Sequence, residues 1–122
     1  MEAGDTFKFG RGRHLWVVVS DPATDPAHVV IINMRTDRGI DRSCILNAGD
    51  HPFVTHPTCM RYDMARIVSN PELEKHAASA TITLHAPASK EVLDRIRQGA
   101  AMTAYIPFGC RQILIEQGLI EP

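Results

Sequence analysis

Lysine is scarce in this 122-residue chain: three lysines stand against ten arginines. Arginine offers a planar fork matched to phosphate and carboxylate, whereas lysine is a point charge. A bias in codon usage explains the ratio as well as selection for phosphate does. Three cysteines (Cys44, Cys59, Cys110) make an odd number with no CxxC pair, which argues against a disulfide framework. No apolar run reaches membrane-spanning length, and MEAGDTFKFGRGR at the N-terminus lacks the apolar core of a signal peptide. The expected compartment is therefore the reducing cytoplasm, with no membrane partner. A net charge of -1 supplies no overall field for nucleic acid. The chain also contains no G-x-S-x-G elbow, no phosphate loop and no dinucleotide fingerprint. No cofactor is expected.

What is present reads as one domain, strand-rich over 1–85 and helical over 89–118. Asp5 to Phe9 predicts a first strand after the Gly4-Asp5 turn. Leu15 to Ser20 (LWVVVS) and His28 to Asn33 (HVVIIN) are β-branched runs too short for helices. They predict antiparallel neighbours buried on both faces, joined by the turn-forming DPATDP. Ser43 to Leu46, Tyr62 to Ser69 and the alternating Thr81 to His85 predict three more strands. Asn70-Pro71-Glu72 signals a short helix. Ser89 caps the clearest one, with Val92, Leu93, Ile96 and Ala100 on one face and Gly99 as its stop. Ile106 to Gln117 predicts a terminal helix ending at Gly118. Parallel strands need crossovers for which the first seventy residues have no room. The expected class is α+β, a small SH3-like β-barrel or curled antiparallel sheet with C-terminal helices.

Three short features stand together in the first third: Gly4-Asp5 before the first strand, Arg13 leading into LWVVVS, and VVIIN running into Met34-Arg35-Thr36. In these the chain resembles the MazF/PemK family of bacterial toxins, over roughly its first seventy residues. The resemblance implies an SH3-like barrel, a homodimer, a sequence-specific endoribonuclease activity and a cognate antitoxin protein. It assigns cleavage roles to Arg13, which enters one strand, and Thr36, which leaves the next. His14 stands where that family often has proline, and the histidine-rich stretch after Asp50 is outside the family motif.

Independently of that likeness, the chemistry-bearing residues gather in Ser43 to Arg66, SCILNAGDHPFVTHPTCMRYDMAR, a segment without helical or strand periodicity. RNA cleavage without a metal needs a base for the 2′-hydroxyl proton, an acid for the leaving oxygen, and cations at the phosphorus oxygens. Histidine exchanges protons near neutral pH, so His51 and His56 are the expected proton-transfer pair. Each precedes proline, which disfavours helix and holds it extended. Arg35 and Arg66 are the expected catalytic cations, with Thr36 beside them. Arg13, Arg38 and Arg61 are expected to grip phosphates, and Phe53 and Tyr62 to stack on bases of single-stranded RNA.

Competing readings use the same residues. Loop histidines commonly bond nearby backbone. Phe53 also reads as a core plug, Thr36 as a turn residue, and the arginines as partners of Asp37, Asp41, Asp50 and Asp63. A non-catalytic nucleic-acid- or protein-binding barrel module would need no proton transfer at all. Cys44, His51, His56 and Cys59 could instead ligate zinc, although only His56-x-x-Cys59 has a preorganised spacing. No metal is expected.

Overall fold

The β-branched runs of the first seventy residues become the centre of an antiparallel sheet. In the computed structural model, which describes all residues from Met1 to Pro122, the strands are β1 (Thr6–Phe9), β2 (Trp16–Val18), β3 (His28–Thr36), β4 (Ile45–Leu46), β5 (Thr58–Ser69) and β6 (Ile82–His85). Helix α1 (Asn70–Ala78) lies between β5 and β6, and α2 (Lys90–Met102) and α3 (Phe108–Glu116) follow. One sheet runs in the order β4-β5-β3-β2-β1-β6, every pairing antiparallel. This is the expected α+β class, in its curled-sheet form. The marginal strands β4 and β6 do not pair with each other, so the sheet is open. No helix is long and apolar enough to cross a membrane.

Strands β2 and β3 are apolar at consecutive positions because both faces of the sheet are covered. Val17, Val30, Ile32 and Met34 face a larger core completed by Val92, Leu93, Ile96 and Ala100 of α2 and Leu114 of α3. Trp16, Val18, Val29 and Ile31 face a smaller core closed by Phe7, Ile82 and Leu73 of α1. The ladder between β3 and β5 breaks its register between Ile31, opposite Arg66, and Asn33, opposite Arg61. Ile32 alone of β3 spans a gap that holds Tyr62 to Ala65 of β5. Extra residues in one strand bend it locally. Across this break Arg61 and Arg66 stand opposite residues only two apart on β3, although five apart in their own strand.

Helix boundaries differ from the sequence reading in two places. The α1 cap is Ser69, whose Oγ accepts from the Glu72 N–H at 3.2 Å. Asn70 sits buried in the first turn instead. Ser89 caps α2 as expected, accepting from the Val92 N–H at 3.1 Å. Gly99 does not stop that helix, which continues to Met102. Its lack of a side chain serves packing: an added Cβ would run into the Tyr62 hydroxyl, and would lie 2.8 Å from Cys44 Cβ and 2.9 Å from the Ser43 carbonyl oxygen. Backbone and core atoms cannot retreat cheaply from such a contact. Gly99→Ala should therefore destabilise the fold by about 1–3 kcal/mol in urea denaturation, although alanine is the better helix former. A stabilised Gly99→Ala protein would contradict this packing of α2 on β5.

Candidate functional site

The two His-Pro dipeptides lie in the loop between β4 and β5, and the loop's anchors decide what each histidine does. Asp50 closes the turn after β4 by accepting from the Asn47 N–H at 2.7 Å, and Arg95 of α2 bonds its other oxygen at 3.0 Å. The Asn47 N–H first and then Arg95 hold the Asp50 carboxyl below its ordinary range. Arg95 also donates to the Ile45 carbonyl at 2.8 Å, tying the loop root to the helix. His51 is then only 5% exposed. Its Nδ1 accepts from the Phe53 N–H at 3.0 Å, so the ring proton sits on Nε2. That nitrogen donates to the Ala86 carbonyl, which also accepts from the Thr6 hydroxyl at 2.6 Å. Ala86 follows β6, the opposite margin of the sheet from β4. His51 is thus a clasp between the two margins, with both nitrogens occupied and little access to solvent. The expected role in proton transfer is withdrawn on these grounds.

His56 is placed differently. Thr58 opens β5 opposite Thr36 of β3, and its hydroxyl donates to the His56 carbonyl at 2.9 Å. The Asp37 N–H donates to the Pro57 carbonyl at 3.0 Å. These bonds fix the His56-Pro57 corner against the end of β3. There the exposed His56 ring meets the Thr36 hydroxyl through Nε2 at 2.9 Å and the Thr55 hydroxyl through Nδ1 at 3.2 Å.

Around that pair opens a hollow of about 250 Å³. The connection between β1 and β2 supplies Arg13 and His14, and the end of β3 supplies Met34, Arg35 and Thr36. Arg38, Phe53, His56 and Thr58 complete its wall. No acidic side chain lines it. The aspartates interspersed with these arginines in sequence are engaged elsewhere. Asp37 takes Arg42 at 3.1 Å, and Asp63 takes Arg61 through two bonds of 2.7 and 2.6 Å. Asp41 accepts from Ser43 and, at 2.8 Å, from the Thr103 hydroxyl, while Asp50 takes Arg95. Arg13, Arg35 and Arg38 consequently make no ion pair. Three unpaired guanidinium groups around one hollow repel one another, and an anion between them relieves that repulsion.

Of the expected site residues, Arg13, Arg35, Thr36, Arg38, Phe53 and His56 come together here. Four do not, His51 among them. Tyr62 is 0% exposed and donates to the Ile96 carbonyl at 2.7 Å, so it is a core residue and stacks on no base. Burial pushes its hydroxyl pKa far up. Arg66 lies over the Trp16 ring at 4.7 Å, beyond the register break. Arg61 is neutralised by Asp63 and faces a neighbouring hollow. His14 and Lys8, whose ammonium sits 4.6 Å from the Phe53 ring centre, were missed. His14 had one available signal, its place next to Arg13. Nothing in sequence brings Lys8 to Phe53.

The zinc quartet does not form. Nowhere do three or more His, Cys, Asp or Glu side chains gather as a metal site. Cys44 lies buried in the larger core with its thiol pushed up to about 11 by burial, and His51 and His56 point to separate partners. Burial likewise raises Cys59 and Cys110, which disfavours a thiolate nucleophile at neutral pH.

Comparison with protein-family models, with curated proteins and with solved structures finds no match to this chain. Its chemistry must be read from the site itself.

The two histidines should separate in stability measurements. His51→Ala removes the clasp and leaves the Phe53 N–H without its acceptor, and should lower unfolding free energy by about 1–3 kcal/mol. His56→Ala, at an exposed position, should change it by no more than about 0.5 kcal/mol. Urea midpoints that shift equally would contradict the assignment.

Proposed function

We propose that the protein is a toxin-type endoribonuclease that cuts single-stranded RNA without a metal ion. The observation that carries this reading is the acid-free hollow, in which three unpaired arginines surround the His56–Thr36 bond. Arg13 and Thr36, the positions singled out by the MazF/PemK resemblance, line that same hollow. This convergence supports the family reading from a direction independent of strand pattern.

A phosphodiester seated among Arg13, Arg35 and Arg38 has its charge met by planar donors, and more strongly as negative charge builds on phosphorus. His56 accepts the 2′-hydroxyl proton as O2′ bonds to phosphorus. The P–O5′ bond breaks, and O5′ takes a proton from His14, the second imidazole of the hollow. The products are a 2′,3′-cyclic phosphate and a free 5′-hydroxyl, with no water or metal consumed in the step. Thr36, bonded to His56 Nε2, orients the ring before substrate arrives. In this reading the protein works in the cytoplasm, pairs as a homodimer and is silenced by an antitoxin whose acidic or amphipathic segment covers the arginines.

A second reading, a barrel-like module that grips RNA without cutting it, is favoured by one feature. The Thr36 hydroxyl occupies the His56 nitrogen in the free protein, and no second imidazole touches that ring.

Purified protein should cut long single-stranded RNA in the presence of EDTA and leave cyclic phosphate ends. His56→Ala should slow cutting by about 10²–10⁴-fold with the fold intact. Arg35→Ala and Arg38→Ala should each weaken binding and flatten its dependence on log salt by about 0.7. RNA that is bound but survives intact would favour the gripping module. RNA that is neither bound nor cut would remove both readings.

A further inference from the structure

Arg35, Thr36 and Arg38 line a second hollow as well as the first. The rest of its wall changes character. Ile40 and Tyr105 form an apolar side, and Cys59 lies against Arg61, whose charge is already met by Asp63. The first hollow therefore suits a bare phosphate, and the second suits a flat, partly apolar group attached to one. Its volume of about 160 Å³ is the space of about five waters, comparable to an aromatic ring system.

We infer that this second hollow is a nucleobase subsite, in which Tyr105 stacks on the unpaired base of the nucleotide next to the phosphate held by the arginines. This rests on RNA being the ligand of the first hollow. Tyr105 is 55% exposed and its hydroxyl makes no hydrogen bond, yet its backbone is firmly placed. The Tyr105 N–H donates to Thr103 Oγ1 at 3.1 Å, and that hydroxyl donates to Asp41 at 2.8 Å. Arg111 of α3 donates to the Thr103 carbonyl at 2.6 Å and to the Ala101 carbonyl at 3.2 Å. The connection between α2 and α3 is thus locked to the loop that carries Asp41. An exposed aromatic held on such a support keeps its face available at little entropic cost.

Apart from the Tyr105 hydroxyl, the hydrogen-bonding groups left free in this hollow are guanidinium donors. Both Asp41 oxygens already accept bonds from Ser43 and Thr103, and Asp63 is occupied by Arg61. Arg35 and Arg38 make no ion pair, and with Arg13 and one of them on the phosphate the other is left for the base. A guanidinium fork matches two adjacent acceptors, the pattern offered by O6 and N7 of guanine. The subsite accordingly prefers an unpaired guanine.

The test is fluorescence-anisotropy binding of short 2′-O-methyl oligoribonucleotides, which cannot be cut by attack of the 2′-oxygen. Three are compared: one with a single guanine in an adenine background, the same oligomer with 7-deazaguanine, and the same oligomer with an abasic site there. Tyr105→Ala should weaken the guanine oligomer by about five- to a hundredfold and leave the abasic oligomer unchanged, and Tyr105→Trp should restore binding. The 7-deaza oligomer, lacking the N7 acceptor, should bind the unaltered protein less tightly than guanine does. Equal losses on guanine and abasic oligomers, or no loss on either, would overturn the subsite. Because binding is read without cleavage, the subsite can stand while catalysis fails, and it can fail while cutting by the first hollow stands.

Discussion

A curled sheet with open margins needs something to hold those margins together, and here it is the His51 imidazole. The ring is nearly buried, its Nδ1 satisfied by the Phe53 N–H and its Nε2 by the Ala86 carbonyl. Through it the segment after β4 is tied to the end of β6, across the full width of the sheet. Arg95 secures the same segment from the α2 side through Asp50 and Ile45. Once Asp50 to Phe53 is fixed in this way, only Val54 and Thr55 remain before His56. Phe53 and His56 must then face the end of β3, where Arg35 and Thr36 stand. The hollow is a consequence of the clasp.

Electrostatics completes what the clasp begins. An arginine beside an aspartate carries little external field, and one without such a neighbour draws anions. Asp37, Asp41, Asp50 and Asp63 are each directed to a partner outside the first hollow. A chain that is nearly neutral overall thereby acquires a locally cationic cavity. The second hollow sits where this pattern gives way to Ile40, Tyr105 and an internally neutral Arg61–Asp63 pair. One continuous wall, Arg35-Thr36-Arg38, thus joins a hollow without acidic side chains to one with Ile40 and Tyr105 on its apolar side.

Much of this is legible in the amino-acid sequence. The β-branched runs at Leu15 to Ser20 and His28 to Asn33 announced strands buried on both faces, and both became central strands. Ser89 and the Val92-Leu93-Ile96-Ala100 stripe located α2. Local patterning had no means of showing which side chains meet across elements. The sequence offers Tyr62 as an aromatic for stacking on bases, yet in the fold it lies beneath α2, its hydroxyl in the space left by Gly99. His51 and His56 are alike in sequence, each followed by proline. They differ only because one meets Ala86, distant in the chain, and the other meets Thr36. The pairing of arginines with aspartates was likewise a question of geometry. Composition set equal numbers of the two near each other, and the fold decided which remained free.

The central claim is that Arg13, Arg35, Arg38 and His56 form one anion-seeking surface while His51 remains structural. The most direct measurement is an NMR titration with a 2′-O-methyl oligoribonucleotide, following arginine Nε–Hε and histidine ring resonances. The account predicts that the signals of those three arginines and of His56 move together along one binding curve, and that the His51 ring stays in place. Shifts confined to other arginines, or a His51 ring that moves with the ligand while His56 does not, would contradict it.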